Sequence, residues 1–372
     1  MSLTTPLVRK LGLQHPIFLA PMAGGPGTPE LAAAVSNAGA LGFLPIAYLP
    51  AARTRELSAR LREHTGRPFG INLFAPVPTP PLPEDSAAAL EVIAQFHGEL
   101  GLSAPKLPEA AAEPFDEQFD AVLESGASAL SFTFGLLPND RIQAAKARGM
   151  FIIGTATTVE EALLLERAGV DAVVAQGSEA GAHRGTFARD FESSMIGTMA
   201  LVPQIVDAVS LPVIASGGIM DGRGIVAALA LGAQAVQMGT AFIPCPESGA
   251  PEAHKAAILA AAENQTRVTR AFSGRPARGI INRAMAGIEA ASDTGSVLPY
   301  PYQNALTRAM RGAAAKQGRP EFLSLWAGQG VRLARRLPAA ELVARLAAEA
   351  ETAMHRLGAL GGVTVPRASS TN

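Results

Sequence analysis

The chain is short of several things at once, and each shortage removes a class of protein. It has one cysteine, Cys245, in 372 residues. No intrachain disulfide can form, and no cysteine-ligated metal cluster can be built; no metal site is expected. Aromatic residues make up 5% of the chain, with one tryptophan and three tyrosines, so aliphatic side chains and alanine must do the packing. Neither sign of charge is in excess: the formal net charge is −1. Nothing therefore points to nucleic acid or to an anionic membrane surface as a partner. Long apolar runs are missing as well. The stretch at 227–231 is far too short to span a bilayer, and the stretch at 17–22, behind Arg9 and Lys10, is broken by Pro21, so no signal peptide is read. The expectation is a cytoplasmic enzyme, monomer or homodimer, acting on a small molecule.

What is present is ample core material and many breaks. Hydrophobic residues are 48% of the chain, beside 37 glycines and 28 prolines. Short apolar runs alternate with helical stretches, the pattern of βαβ units. Strands are predicted at 17–20, 41–44, 69–74, 129–132, 151–154, 172–176, 212–215 and 235–238. Helices are predicted between them, the first with Thr28 as N-cap, Pro29 in the first turn and Gly39 as stop. About eight strand–helix units fit before residue 240, and a parallel barrel closes at eight. The predicted fold is an α/β (β/α)8 TIM barrel over 1–240. A cap follows the eighth strand over 241–330, and a C-terminal helix over 331–360 packs back on the barrel. An open doubly wound sheet is the alternative. Against it, no G-x-G-x-x-G follows the first strand, and the informative residues follow many strands rather than one switch point.

The candidate site residues fall at strand ends. Gln176 opens a glycine-dense loop after the sixth strand, Q-G-S-E-A-G-A-H-R-G at 176–185, with Gly181 and then His183. Small residues let the backbone pass close to a flat ligand. The histidine can move a proton near neutral pH or donate a hydrogen bond to an anion. Ser216, Gly217 and Gly218 follow the seventh strand, and Gln237, Met238, Gly239 and Thr240 lie at the end of the eighth. Barrels commonly bind phosphate with these two loops. Exposed backbone N–H groups and a helix N-terminus suit a dianion without any lysine. Pro21, Met22 and Ala23 follow the first strand, where they could lie against a planar ring. Asn72, a lone amide inside the apolar third strand, could bond the polar edge of a heterocycle.

These segments resemble the nitronate monooxygenases, formerly called 2-nitropropane dioxygenases, of the FMN-dependent barrel type. The resemblance runs from Pro16 to Thr240 and into the cap. It rests on A-P-M-A-G-G at 20–25, G-I-N-L-F at 70–74, the histidine loop, A-S-G-G-I at 215–219 and Q-M-G-T at 237–240. It implies FMN as cofactor, with Asn72 and Gln176 on the isoalloxazine and Gly181, Gly218 and 237–240 around the ribityl phosphate. It implies His183 as the active-site histidine. It also implies oxidation of alkyl nitronates, propionate 3-nitronate foremost, by O2 through an anionic flavin semiquinone, giving carbonyl products and nitrite or nitrate. Tyr300 and Tyr302 of Y-P-Y-Q-N resemble tyrosines that line the substrate cavity. One departure stands out: Ala182 replaces the glycine usual before the histidine, which puts a methyl where the backbone needs an unusual torsion.

A flavin reductase on the same scaffold, of the quinone or enoyl-acyl-carrier-protein type, shares several of these glycine loops and is the main rival. A barrel of the inosine monophosphate dehydrogenase type would need a cysteine after the sixth strand, and none is there. A flavin-free aldolase or isomerase would want lysine or carboxylates where this chain has Asn72, Gln176 and Gln237.

Overall fold

A period of two along each strand decides which residues face the inside of a closed sheet. In the computed structural model, which describes residues 3–107, 111–291 and 297–360, that rule builds the floor and the mouth of a barrel. Its strands are Ile17–Leu19, Gly42–Pro45, Phe69–Phe74, Ala129–Thr133, Phe151–Ala156, Ala172–Gln176, Val213–Ser216 and Ala235–Met238. Each pairs in parallel with its neighbour, and the first also pairs with the eighth. A parallel bridge between Phe18 and Leu41 closes the ring. The predicted (β/α)8 barrel is thus the observed fold.

Inward-facing residues of the lower half are apolar. Phe18, Phe43, Ala129, Phe151, Ile153, Val174, Ile214 and Ala235 pack together, with Leu7 against them. Leu7 belongs to a short helix, Pro6–Lys10. Its backbone N–H bonds Gln234 Oε1, just before the eighth strand, at 3.0 Å. That helix therefore plugs the N-terminal floor. Two residues onward on the same faces come Ala20, Pro45, Asn72, Ser131, Thr155, Gln176, Ser216 and Gln237, and all of them line one cavity. Alternate residues, such as Leu19, Leu44, Ile71, Phe132, Val173 and Val236, face outward into the helix layer.

Helix signals behave as expected in the first unit: Thr28 accepts from Leu31 N, and Pro29 opens Pro29–Asn37. Two parts of the predicted division are corrected. The helix Ala87–Glu99, one of those predicted between the strands, does not cover the barrel. Its apolar face, with Ile93 and Phe96, enters a second core with Ile258, Phe272, Met285 and Phe322. The proline-rich link at 76–83, without regular secondary structure, carries it there. Phe115–Leu123 takes its place against Ala51–His64. The eighth barrel helix, for its part, comes a hundred residues after its strand. The long C-terminal helix starts at Ala339, not near 331, and runs to Leu360. It packs against Pro29–Asn37 and Gly222–Ala230, closing the helix ring. Glu247 caps it by accepting from Ala339 N. Gly222 permits the approach: a Cβ there would sit 2.2 Å from Ala350 N.

Residues 241–338 are thus inserted between a strand and its helix, and most of the second core comes from them. Strands Thr266–Thr269 and Ala277–Ile280 form an antiparallel pair, and Ala182–His183 joins as the third strand. The histidine loop is therefore stitched to the cap.

Candidate active site

The strand tops and the cap enclose a cavity of about 640 Å³, within the range of pockets that hold a cofactor or drug-sized ligand. Its two sides are chemically unlike. On the side of the seventh and eighth strands the lining is Ser216, Gly217, Gly218, Gln237, Met238, Gly239 and Thr240, with Gly181 from the sixth loop. Gly217 has φ +119° and Gly218 φ +71°, torsions that L side chains rarely adopt. The backbone N–H groups of Gly181, Gly217, Gly218, Gly239 and Thr240 donate to no described group. Five donors without acceptors around one cavity could hold an anion. The adjacent helix ends do not serve, contrary to expectation. Asp221 caps Gly222–Ala230, and Glu179 binds Thr198 N at the start of Thr198–Ala208. An anion there must use the loop N–H groups.

The histidine loop is held from beneath. Gln176 Nε2 donates to the His183 carbonyl at 3.0 Å, and its Oε1 accepts from Gly185 N at 2.8 Å. Glu161 is fully buried, and its carboxylate accepts from Phe187 N, Ala188 N, Thr157 N and the Thr157 hydroxyl. Ala182, the residue singled out in the sequence, has φ +59°, a left-handed torsion costing an L residue about 1–2 kcal/mol. Phe134, after the fourth strand, is a second such residue at φ +79°. Strain of this kind gathers at functional sites.

The other side of the cavity is aromatic and cationic. His183 meets Phe134, Trp326, Tyr300 and Phe74 at ring distances of 5.6, 5.8, 6.0 and 6.5 Å. Its Nε2 lies 2.9 Å from Ser273 Oγ. Burial, then Arg275 and Arg311, push its pKa down to about 3, so the imidazole is neutral at pH 7. Part of the ring faces the cavity. Arg275 stacks on Phe134, 3.9 Å from the ring centroid, and donates to the Thr186 carbonyl. Arg311 spends its hydrogen bonds on Asn304 and Thr307. Arg308 lines the cavity with no ion pair among the described residues. No Asp or Glu lines the cavity.

Pro21, Met22, Ala23, Asn72, Gln176, Gly181, His183, Ser216, Gly217, Gly218, Gln237, Met238, Gly239 and Thr240 all line this one space. Asn72 donates to Ser131 at 2.9 Å and leaves its carbonyl oxygen without a described donor, free for a ring N–H. Gln176 is already engaged by the histidine loop. The tyrosines stand farther back. Tyr300 touches His183 without lining the cavity, and Tyr302 packs against the second core. Tyr48, after the second strand, lines the cavity instead. Burial raises its pKa, and its hydroxyl lies near that of Tyr300 without a well-aligned hydrogen bond. Sequence reading also passed over Phe134, Ser273, Arg275, Arg308, Arg311 and Trp326. Phe134 carried a signal, since it directly follows a strand and precedes a glycine. The others lie in the cap, where no strand end marks them.

A profile of the nitronate monooxygenase family matches residues 4–349. The chain belongs to the nitronate monooxygenase family. Among relatives, a nitronate monooxygenase of Pseudomonas aeruginosa is 45% identical over 93% of this chain and 99% of its own length. A probable nitronate monooxygenase of Bacillus subtilis is 46% identical over 87% and 92%. Among solved structures, the nitroalkane oxidase of Streptomyces ansochromogenes superposes with a TM-score of 0.86 at 41% identity, covering 94% of this chain and 99% of that one. FabK of Thermotoga maritima superposes at 0.76 with 30% identity, covering 96% and 99%. The barrel with its inserted cap is thus common to nitronate monooxygenases and to at least one neighbour of another name. The chain is an oxidoreductase of this family. Among its described residues, no helix is long and apolar enough to cross a membrane.

Proposed function

We propose that this protein binds FMN and oxidises alkyl nitronates with O2, propionate 3-nitronate foremost, to a carbonyl compound and nitrite or nitrate. One observation carries the reading. A single cavity sets an uncharged cradle of glycine N–H groups opposite an aromatic wall that holds a neutral histidine and unpaired arginines. The cradle fits the phosphate of FMN, and Asn72 and the first-strand loop at 21–23 fit its ring. When bound, the flavin accepts electrons from the substrate and passes them to O2.

The chain's own residues supply the rest. Arg308 and Arg311 make the far wall attractive to an anion, and no carboxylate in the lining competes. Two such charges suit a dianion, with the nitronate toward His183 and the distal carboxylate toward the arginines. Phe74, Phe134 and Trp326 exclude water from the reacting end. His183 borders the reacting end and, for a neutral nitroalkane, takes its α-proton.

The glycine loops resembling those of flavin reductases favour one other reading, a flavin reductase supplied by NADH or NADPH. Anaerobic titration of the purified protein decides between them. The flavin absorbance is expected to change with propionate 3-nitronate and to stay unchanged with NADH. The reverse pattern would replace this reading with the reductase. A colourless protein that takes up no FMN would remove both.

A further inference from the structure

The hydrogen bonds at His183 define which of its nitrogens carries the proton. Ser273 is 1% exposed and lies shortly before the cap strand whose Ala277 pairs with His183. Its hydroxyl has one proton to give and two lone pairs to offer. The Oγ donates to the Arg275 carbonyl at 3.0 Å, and that carbonyl can only accept. It accepts from Arg275 N at 3.3 Å. With its proton committed there, Oγ meets His183 Nε2, at 2.9 Å, with a lone pair. The imidazole must then carry its hydrogen on Nε2. That leaves Nδ1 as a bare lone pair, and no described group donates to it.

We propose that Ser273 is a positioning residue that holds His183 in the Nε2–H tautomer, so that Nδ1 is the atom that takes the α-proton of a neutral nitroalkane. The proposal rests on the functional reading above. In this step the Cα–H bond breaks, the proton moves to Nδ1, and the electron pair passes into the nitro group, giving the nitronate. The resulting imidazolium faces the charges of Arg275 and Arg311, with the Tyr300 ring 6.0 Å away. The new anion beside it offsets that unfavourable company. A substrate that arrives as a nitronate needs no such base, and this asymmetry makes the role of Ser273 measurable.

The test combines a spectroscopic and a kinetic reading on the purified, flavin-bearing protein. With 15N-labelled histidine and a His183→Asn variant for assignment, wild-type His183 should show the Nε2–H tautomer with slow exchange of that hydrogen. Ser273→Ala should speed the exchange and release the fixed tautomer. Turnover of nitroethane should fall about tenfold or more, while turnover of ethyl nitronate stays within about twofold. Ser273→Thr, which keeps the hydroxyl, should restore the ratio. A wild-type His183 with its hydrogen on Nδ1 would overturn the proposal. So would a Ser273→Ala variant whose signals and turnover ratio are unchanged, or one that loses both activities equally. Should the wild type oxidise neither compound, the functional reading falls, and the tautomer measurement still decides the part of Ser273.

Discussion

The two sides of the cavity present opposite means of binding charge. On the side of the seventh and eighth strands there is no side-chain cation; the donors are backbone N–H groups exposed by glycine. On the cap side two arginines, Arg308 and Arg311, line the cavity beside the neutral His183. The difference follows from where each side comes from. Strand-end loops are short and rigid, so their backbone can be aimed at a fixed group. The cap is made of helices and loops, which reach the cavity through long side chains. A resident cofactor suits the first device, and an exchanging anionic substrate suits the second.

Substitutions can separate these two devices, beginning with the largest effect. His183→Asn should lower turnover of neutral nitroalkanes by about 10²- to 10⁴-fold and leave the flavin in place, read by single-turnover absorbance. Flavin lost together with activity would show that the substrate side also holds the cofactor. Gly217→Ala attacks the other side. Its φ of +119° and the Thr198 Oγ1 2.8 Å from the added Cβ leave no room to relax. Flavin affinity should weaken by about 10- to 100-fold, measured by fluorescence on dilution, while flavin-saturated protein keeps its KM for nitronate.

Arg308→Ala and Arg311→Met should raise KM for propionate 3-nitronate by about tenfold or more and spare ethyl nitronate. Equal losses for both substrates would mean that the arginines do not read the distal carboxylate. A smaller effect concerns pH. His183 and His254 are held neutral by burial, with pKa values pushed down to about 3 and about 4. The unfolded chain binds these protons from about pH 6.5 downward, ahead of the folded state. Stability should therefore fall as pH drops from 6.5 toward 4, and His183→Asn should flatten part of that slope in thermal melts. The smallest effect is expected at Ala182. Ala182→Gly relieves the torsion at φ +59° and frees the unfolded chain, so stability should move by no more than about 1 kcal/mol. A large loss of activity in that variant would show that the strained methyl is part of the site.

Legibility followed the same divide. Each barrel strand could be found because it is a short apolar run, and each residue of the glycine cradle because it sits a fixed step beyond one. The parity that puts Phe18, Val174 and Ile214 in the floor also puts Ala20, Gln176 and Ser216 at the mouth. Ala182 was visible as a departure from a pattern, and its torsion bears the departure out. The helix Ala87–Glu99 was visible as a helix, but its partner was not, because an apolar stripe fits a barrel and a cap equally well. Tyr48, Ser273 and Arg311 carried no local mark at all. Their meaning depends on contacts with residues far along the chain.

Sequence alone thus determined the barrel, the strand-end cradle and the histidine, since alternation, turns and small residues act over a few positions. Tertiary structure alone decided that the C-terminal helix is the eighth of the ring and that residues 87–99 belong to the cap. It also decided that arginines and aromatics from the cap face the histidine. Those outcomes depend on which distant apolar surfaces bury each other, and burial between surfaces has no fixed spacing in a sequence.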